Sequence, residues 1–372
     1  MNVPILDLKA QHRSIRDAVV AKVLELADAQ LFILGQPVQE LEAKVAELSH
    51  AVHGVGVASG TDALLVPLKA LDLKPGDEVI TTPFTFFATA GAIHNAGGKP
   101  VFVDIERDTF NIDPAAVEAA LTPRTRAIVP VHLFGQMAAM ERLAPLAARH
   151  GVPLLEDAAQ SIGARRRIDG QWRMAGELGT VTGFSFFPTK NLGGWGDGGM
   201  VVANDQKLAD RVRTLRTHGG ARQYYHDEVG VNSRLDALQA TVLLAKLPYL
   251  EGWSAARRAN AARYNQRLAG LSAVRTPVTD PSNEHIFHQY VIEADRRDEL
   301  QAHLKQREIG CAVYYPLALH LQPCFRYLGY REGAFPVAEA ATRRVLALPV
   351  YPELSQAQQD FVADTIRGYY GT

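Results

Sequence analysis

The chain has 372 residues, of which 47% are hydrophobic and 21% are charged, and its formal net charge is -1. This length and composition are typical of a soluble protein with two domains, without the basic excess that would bind a nucleic acid or an anionic membrane. Its two cysteines, Cys311 and Cys324, are too few for a disulfide framework and lie in no metal-ligand spacing, which favours a reducing compartment. Because the N-terminus has no signal-peptide pattern and no run of about 18 apolar residues occurs, we expect a cytoplasmic protein without a membrane span.

Short apolar segments alternate with helical patterns through the first two-thirds of the chain. The helical patterns cover 37–50, 61–71, 86–96, 113–121 and 137–150. Seven strands are predicted, most of them apolar on both faces: Val55–Ala58, Glu78–Thr82, Pro100–Val103, Ala127–Val131, Pro153–Leu155, Gly183–Phe187 and Met200–Ala203. Strands that alternate with helices predict an α/β fold with a mainly parallel sheet covered by helices on both sides.

The pattern changes after about residue 233. The later elements are a long helical pattern over 233–269 that breaks near Pro248, a strand-like Gln289–Ile292, a helix over 296–308, a strand-like Cys311–Tyr315 and a final helix over 355–369. We therefore predict a large domain over 1–245, N-terminal helices included, and a smaller C-terminal α+β domain over 246–372.

Polar side chains follow several predicted strands at the edge of the sheet where ligands of parallel sheets gather. Asp157 ends one apolar strand, Lys190 comes just past another, and His132 follows a third. A histidine in such a position is more often structural than catalytic. Asp157 is either the N-cap of a following helix or a carboxylate that pairs with a cationic ring nitrogen.

The segment Ser59–Thr61 joins a predicted strand to a predicted helix. Backbone N–H groups and hydroxyls at a helix N-terminus bind phosphate, although Ser and Thr more commonly cap the helix. On the residues alone, capping is the commoner use.

Lys190 lies between an apolar strand and the glycine-dense stretch Asn191–Gly199. A lone lysine near glycine and proline is usually a solvated loop residue. Glycines permit close approach of the backbone to a ligand, and a partly desolvated lysine becomes a nucleophile for carbonyl groups. Without further support, the solvated interpretation is the stronger one.

Short motifs recur in a specific order along nearly the whole chain: Asp7–Lys9 with Gln11, Phe32–Pro37, Ser59–Leu64, Thr82–Thr89, Phe102–Asp104, His132–Gly135, Glu156–Gln160, Phe184–Gly193, Gly196–Gly199, His218–Gly219, Gly230–Asp236 and Tyr314–Pro316. Each motif alone is weak evidence. Together they resemble the DegT/DnrJ/EryC1/StrS family of sugar aminotransferases, pyridoxal-phosphate enzymes of fold type I. The resemblance implies a large domain with a mainly parallel seven-stranded sheet and a smaller α+β domain.

The resemblance also implies how pyridoxal 5'-phosphate is bound. Lys190 would hold it as a Schiff base, and Asp157 would pair with its protonated pyridine nitrogen. Gln160 would reach the ring hydroxyl and Phe86 would stack on the ring. The phosphate would be held by Gly60, Thr61 and Ser185.

Further residues are implied to act across subunits or on substrates. Asn232 is expected to reach the phosphate of the neighbouring subunit, so that a homodimer completes each active site. The donor carboxylate and the sugar nucleotide are expected to contact Arg234, Tyr314, Tyr315 and His320.

The activity implied is transamination in two half-reactions, with pyridoxamine 5'-phosphate as the intermediate form of the cofactor. L-glutamate would donate the amino group to a keto sugar linked to a nucleotide diphosphate, in amino-sugar biosynthesis for a polysaccharide or an antibiotic. Arg222–His226 and Gly230–Asp236 resemble enzymes that convert a 3-keto hexose to a 3-amino hexose. Amination at C4 of a 4-keto-6-deoxy sugar is the alternative.

Three other classes of protein compete with a sugar aminotransferase. Relatives with His in place of Lys190 remove a sugar hydroxyl, so the lysine argues for transamination. A regulator that binds the cofactor without turnover is a further hypothesis, against which the intact Lys190 and Asp157 speak. A dinucleotide-binding Rossmann enzyme is excluded because no Gly-x-Gly-x-x-Gly follows the first strand. The cationic segment Arg165–Arg173 is interpreted as solvated hairpin surface, with a contact to a nucleotide diphosphate as the less supported alternative.

Overall fold

The computed structural model of the protein describes residues 1–220, 222 and 224–371. Its helices are α1 (Leu8–Ala29), α2 (Gln36–Leu48), α3 (Asp62–Ala70), α4 (Ala88–Asn95), α5 (Pro114–Ala120), α6 (Met140–Arg149), α7 (Gln206–Leu215), α8 (Ala237–Lys246), α9 (Leu250–Arg267), α10 (Arg297–Gln306), α11 (Pro336–Arg344) and α12 (Gln356–Tyr370). Its strands are β1 (His53–Val57), β2 (Glu78–Thr81), β3 (Lys99–Phe102), β4 (Thr125–Ile128), β5 (Leu155–Asp157), β6 (Arg165–Ile168), β7 (Gln171–Met174), β8 (Val181–Ser185), β9 (Gly199–Ala203), β10 (Val274–Arg275), β11 (Asn283–Glu284), β12 (Tyr290–Ala294) and β13 (Val345–Leu348). Within the described residues, no helix combines the length and the apolar character needed to span a membrane.

A seven-stranded sheet forms the centre of the molecule. One half has the order β1-β9-β8-β5 and the other has the order β3-β2-β4. Parallel bridges from Ile128 to Leu154 and from Val131 to Asp157 join β4 to β5. Neighbouring strands run parallel throughout except at β9, which is antiparallel to both of its neighbours. Each of the seven predicted strands overlaps one of these, so the predicted mainly parallel sheet is confirmed.

Helices cover both faces of this sheet, as β9 illustrates. Met200 and Val202 pack in a core cluster with residues of α2 and α8. Val201 and Ala203 pack in a second cluster with residues of α3 and α7. Successive side chains of a strand point to opposite faces, and here both faces are buried. This explains why the strand is apolar without alternation.

The C-terminal part contains the antiparallel sheet β10-β12-β13. Its core cluster includes residues of α9, α10 and α12. The long helical pattern over 233–269 resolves into α8, a 3-10 turn over Leu247–Tyr249 that contains Pro248, and α9. Val3 also packs in this C-terminal cluster and pairs with Ile309. The N-terminus is therefore tied to the C-terminal part, and the division into 1–245 and 246–372 stays a prediction.

Two local predictions need correction. The strand predicted over 311–315 is wrong, because only Ala312 pairs with β13, through reciprocal hydrogen bonds with Ala347, and the chain then turns away. The segment Arg165–Arg173 does form the antiparallel hairpin β6–β7. Its Arg166 is not solvated, however: the guanidinium is buried and pairs with Glu141 at 2.6 Å and Asp280 at 3.0 Å.

Candidate active site

A cavity of about 460 Å³ lies at the carboxyl-end edge of the sheet. The segments that follow β1, β5 and β8 all contribute to its wall, as expected where parallel strands end. The predicted residues that line it are Gly60, Thr61, Phe86, Asp157, Gln160, Ser185, Lys190, Tyr314 and Tyr315. The fold thus brings together residues that are up to 255 positions apart in the chain.

Lys190 lines this cavity from the turn after β8. Its backbone N–H donates to the carbonyl of Phe187 at 2.8 Å, which fixes the turn. Burial lowers the pKa of the Lys190 amine to about 8, against the opposing effect of the nearby Asp157 carboxylate. A larger fraction of neutral, nucleophilic amine is therefore present near neutral pH than for a solvated lysine.

Asp157 is buried at the end of β5. Its Oδ2 accepts a 2.7 Å hydrogen bond from the hydroxyl of Thr89, and its Oδ1 accepts a 3.2 Å bond from the N–H of Ala159. No α-helix begins in the described residues directly after it, which removes the helix-cap interpretation. Burial raises the pKa of this carboxyl, while the two hydrogen bonds oppose the rise. A buried carboxylate of this kind is stabilised by a cationic partner.

Helix capping and phosphate binding, the two interpretations of Ser59–Thr61, are each supported by a different residue of this segment. The Ser59 hydroxyl accepts from the N–H of Asp62 at 3.1 Å and so caps α3. The Thr61 side chain makes no such cap bond and lines the cavity. A Cβ at Gly60 would lie 2.6 Å from the Ser185 hydroxyl oxygen, so only glycine fits there. The helix start, Thr61 and Ser185 together form a cradle for an anion.

Gln160, Tyr315 and Phe86 form one wall. The side-chain carbonyl of Gln160 accepts from the N–H of Phe134 at 2.7 Å, and its amide donates to the Tyr315 hydroxyl at 3.0 Å. Burial raises the pKa of Tyr315, so its hydroxyl stays protonated. The Phe86 ring is 59% exposed, and its centroid lies 6.5 Å from that of Tyr315. A flat aromatic face is thus available to a ring in the cavity.

Three predicted residues do not line this cavity. Asn232 is exposed and pairs with Thr217. Arg234 lines a separate surface depression. His320 is buried with its Nε2 3.0 Å from Glu339, so the residue packs within the fold. Gln223, within the Arg222–His226 segment on which the C3 preference rests, lies outside the described residues.

The other polar residues after the strands have structural contacts. His132 is buried, with Nε2 2.6 Å from Glu156 and Nδ1 accepting from the N–H of Ala138, in agreement with the structural interpretation. The glycines after Lys190 allow close packing of the backbone against itself more than close approach of a ligand. A Cβ at Gly193, for example, would lie 2.3 Å from the carbonyl oxygen of Pro188. Within Asn191–Gly199, Asp197 lines the cavity.

Three residues at the site have no role predicted from the sequence: Thr89, His288 and Gln289. Thr89 bonds Asp157, and His288 and Gln289 line the cavity. Thr89 is the last residue of the Thr82–Thr89 motif, so its place in that motif was the one sequence feature that could have indicated a role at the site. His288 lies in a stretch without a motif, and a lone histidine beside a strand gives no functional signal.

The residues present fit pyridoxal phosphate. Its aldehyde, its basic ring nitrogen and its phosphate each need a different partner, and the cavity offers an amine of lowered pKa, a buried carboxylate and an anion cradle that a single Cβ at Gly60 would fill. Lys190, Asp157 and the Gly60–Thr61 start of α3 would hold these groups.

The family model for DegT/DnrJ/EryC1/StrS aminotransferases matches residues 13–367. This chain belongs to that family. It is therefore an aminotransferase, and its fold is that of the fold type I enzymes.

Individual relatives cover essentially the same length. The chain is 52% identical to a pleiotropic regulatory protein of Geobacillus stearothermophilus over 372 residues, covering 100% of this chain and 99% of that protein. It is 44% identical to a UDP-N-acetyl-3-dehydro-alpha-D-glucosamine 3-aminotransferase of Acidithiobacillus ferrooxidans over 365 residues, 98% of this chain and 97% of the relative.

Solved structures agree with the fold. DesV from S. venezuelae, in complex with a ketimine intermediate, superposes with a TM-score of 0.96 at 43% identity and covers 100% of this chain and 99% of its own. NtdA from Bacillus subtilis, with bound cofactor PMP, superposes with a TM-score of 0.91 at 30% identity, covering 100% of this chain and 86% of its own.

Proposed function

We propose that this aminotransferase uses pyridoxal phosphate to move the amino group of L-glutamate to C3 of a nucleotide-diphosphate-linked 3-keto hexose. The observation that carries the proposal is the Lys190 amine, of lowered pKa, in one cavity with the buried carboxylate of Asp157. When bound, pyridoxal phosphate supplies an electron sink for the bond-breaking steps. The choice of C3 is supported by the relative from Acidithiobacillus ferrooxidans, whose name specifies a 3-dehydro sugar and a 3-aminotransferase.

Each of the proposed site residues has a separate role in holding the cofactor or moving a proton. Lys190 Nζ would bond to the cofactor's aldehyde carbon with loss of water, and once the substrate amine has displaced it, the free amine would move the proton that transamination requires. Asp157 keeps the ring nitrogen protonated through its negative charge. Thr61 and Ser185 donate hydrogen bonds to the phosphate, and Phe86 covers the ring.

We further propose that the protein acts in the cytoplasm as a homodimer. Asn232 and Arg234 lie outside the cavity of their own subunit, as a residue that serves a neighbouring subunit must. Asn232 would reach the partner's phosphate group, and Arg234 would meet the donor carboxylate. The donor carboxylate requires a cationic partner, and Lys190 is the one basic amine or guanidinium among the described residues that line the cavity. Because Lys190 is assigned to the cofactor, the cation for the carboxylate would come from the neighbouring subunit.

Two alternatives are kept. Amination at C4 would use the same site residues, and only the acceptor would differ. A regulatory role is favoured by one observation, the name of the relative from Geobacillus stearothermophilus. The relative from Acidithiobacillus ferrooxidans is named as an aminotransferase, so we rank a regulator that merely binds the cofactor below catalysis.

The test is turnover by half-reaction. The purified holoprotein is mixed with L-glutamate, and formation of pyridoxamine phosphate and 2-oxoglutarate is measured. The aminated form is then mixed with 3-keto and 4-keto hexoses linked to dTDP, UDP or GDP, and recovery of the original form is measured. We expect recovery with a 3-keto substrate. Recovery only with 4-keto substrates would replace C3 by C4, and failure of the glutamate step would leave the regulatory alternative.

A further inference from the structure

The residue His288 places a second nitrogen base in the cavity beside Lys190. The residue is buried and lines the cavity wall. It precedes β12 in the chain and is absent from the set of residues that the proposed function uses. What the ring can do depends on which of its nitrogens carries a proton.

Asn191, which follows Lys190 in the chain, determines which nitrogen of His288 carries the proton. Asn191 donates from its side-chain Nδ2 to the carbonyl of Ile286 at 3.3 Å, so its Oδ1 points the other way, 3.1 Å from His288 Nδ1. An amide oxygen only accepts, so Nδ1 must carry the hydrogen. Gln289 Nε2, which only donates, lies 3.5 Å from His288 Nε2. Both contacts call for a proton on Nδ1 and a lone pair on Nε2. The Gln289 contact is at the outer limit of hydrogen-bond length, so a substrate donor can displace it and take the Nε2 lone pair.

The surroundings keep the ring neutral. Burial holds the pKa of His288 well below its usual value, and the positive charges of Lys190 and Arg257 lower the pKa further, as does His285. A neutral ring with Nδ1–H offers Nε2 as an acceptor only.

The position of the ring is fixed from two sides. The buried guanidinium of Arg257, on α9, donates through one nitrogen to the carbonyl of Phe287 at 3.2 Å, of His288 at 3.4 Å and of Val350 at 2.7 Å. Asn191 holds the ring itself. The backbone of His288 is thus tied to the C-terminal part of the chain and its ring to the turn that carries Lys190.

We propose that His288 is a further ligand-contacting residue, whose unprotonated Nε2 accepts a hydrogen bond from an N–H or O–H group of a substrate in the cavity, with Asn191 as the residue that positions the ring. The proposal rests on the function proposed above. The donor group has two sources, the amine of the amino donor or a hydroxyl of the keto sugar, and the two half-reactions distinguish them.

The first test compares two substitutions. His288→Asn keeps a polar group at the place of Nδ1 and loses Nε2, whereas the longer side chain of His288→Gln brings an oxygen acceptor to the place of Nε2. We expect His288→Asn to slow one half-reaction by about tenfold or more, the effect of one hydrogen bond to a charged or reacting group, and His288→Gln to restore most of the rate. Slowing with L-glutamate identifies the amine as the donor, and slowing with the keto sugar nucleotide identifies a hydroxyl.

The matched control is His285→Asn, which removes a buried imidazole from the same segment outside the cavity. Its ring stacks on Phe287 at 3.9 Å. We expect this variant to keep both half-reaction rates. Unchanged rates in His288→Asn, or a loss that His288→Gln does not reverse, would overturn the proposal. Failure of the wild-type protein itself with glutamate would instead overturn the proposed function.

A second measurement does not depend on turnover or on the folding of a histidine variant. The protein is labelled with 15N-histidine, and the imidazole nitrogens are observed by NMR before and after addition of L-glutamate or of the sugar nucleotide. We expect a proton on Nδ1 of His288, none on Nε2, and a shift of the Nε2 resonance with one of the two ligands. A proton on Nε2, a charged ring, or no shift with either ligand would contradict the proposal.

Discussion

Thr89 donates a 2.7 Å hydrogen bond from its hydroxyl to the buried carboxylate of Asp157. The hydroxyl of Thr85 lies 3.1 Å from that of Thr89, so a short chain of hydroxyl groups leads to the acid. Because burial raises the pKa of Asp157 and this bond lowers it, Thr89 helps to keep the carboxylate ionised. It does so from the start of α4, in a different part of the sequence from β5.

The substitution Thr89→Val removes this donor while preserving the shape of the side chain. The pKa of Asp157 should rise, and the affinity for pyridoxal phosphate and kcat should each fall by about tenfold, the effect of a hydrogen bond to a charged group. Cofactor titration and steady-state rates measure both effects. Thr89→Ser, which keeps the hydroxyl, is the control and should remain near wild type. Cofactor affinity and kcat at the wild-type level in both variants would show that the hydroxyl is not needed.

The close contact at Gly60 makes a second prediction. A Cβ at this position would lie 2.5 Å from Cβ of Ser185, so Gly60→Ala must fill the anion cradle and displace Ser185. We expect cofactor affinity to fall by about tenfold or more. Gly252→Ala on α9 is the matched control, since nothing lies within 4 Å of its added Cβ, and it should leave affinity unchanged. Normal affinity in Gly60→Ala would exclude the cradle.

The lowered pKa of Lys190 predicts a pH dependence. The neutral amine is the form that attacks the cofactor, and its fraction rises as pH increases through a pKa of about 8, well below the usual value for lysine. The rate at which the cofactor-free protein takes up pyridoxal phosphate should therefore rise between roughly pH 7 and 9 and level off above that. Stopped-flow absorbance measures this rate. A rate that keeps rising to pH 10 would indicate a solvated lysine.

Mixed dimers test whether two subunits build each site. Lys190→Ala and Asn232→Ala are produced together, so that about half of the dimers contain one copy of each. If Asn232 serves the neighbouring subunit, one site of each mixed dimer has both residues, and the preparation should recover roughly a quarter of wild-type activity. If Asn232 serves its own subunit, mixing should restore nothing.

Much of the fold is predictable because burial leaves a simple pattern. Strands such as β9 are apolar on both faces, which is what a sheet covered on both sides requires. The segment 311–315 has the same apolar character but pairs at Ala312 alone, since its tyrosines line the cavity instead. Local composition cannot distinguish these two uses of an apolar segment.

The site was predictable to the extent that each residue follows a strand or belongs to a motif. Lys190 and Asp157 satisfy both conditions. His320 belongs to neither class of position, and its partner Glu339 is 19 residues away in sequence, so its burial is a tertiary effect. The burial of Arg166 is also a tertiary effect. A charged residue is predicted from the sequence to lie on the surface, but in the fold Arg166 pairs with Glu141 and Asp280. His288 becomes interpretable only when Asn191 is seen to face it.

Lys190 is proposed to hold pyridoxal phosphate covalently. The direct measurement is borohydride reduction of the protein loaded with the cofactor, followed by mass spectrometry of the peptide that contains residue 190. We predict visible absorption and a reduced adduct on Lys190 in the wild-type protein, and neither in Lys190→Ala. An adduct formed at the wild-type level in Lys190→Ala would contradict covalent attachment at Lys190.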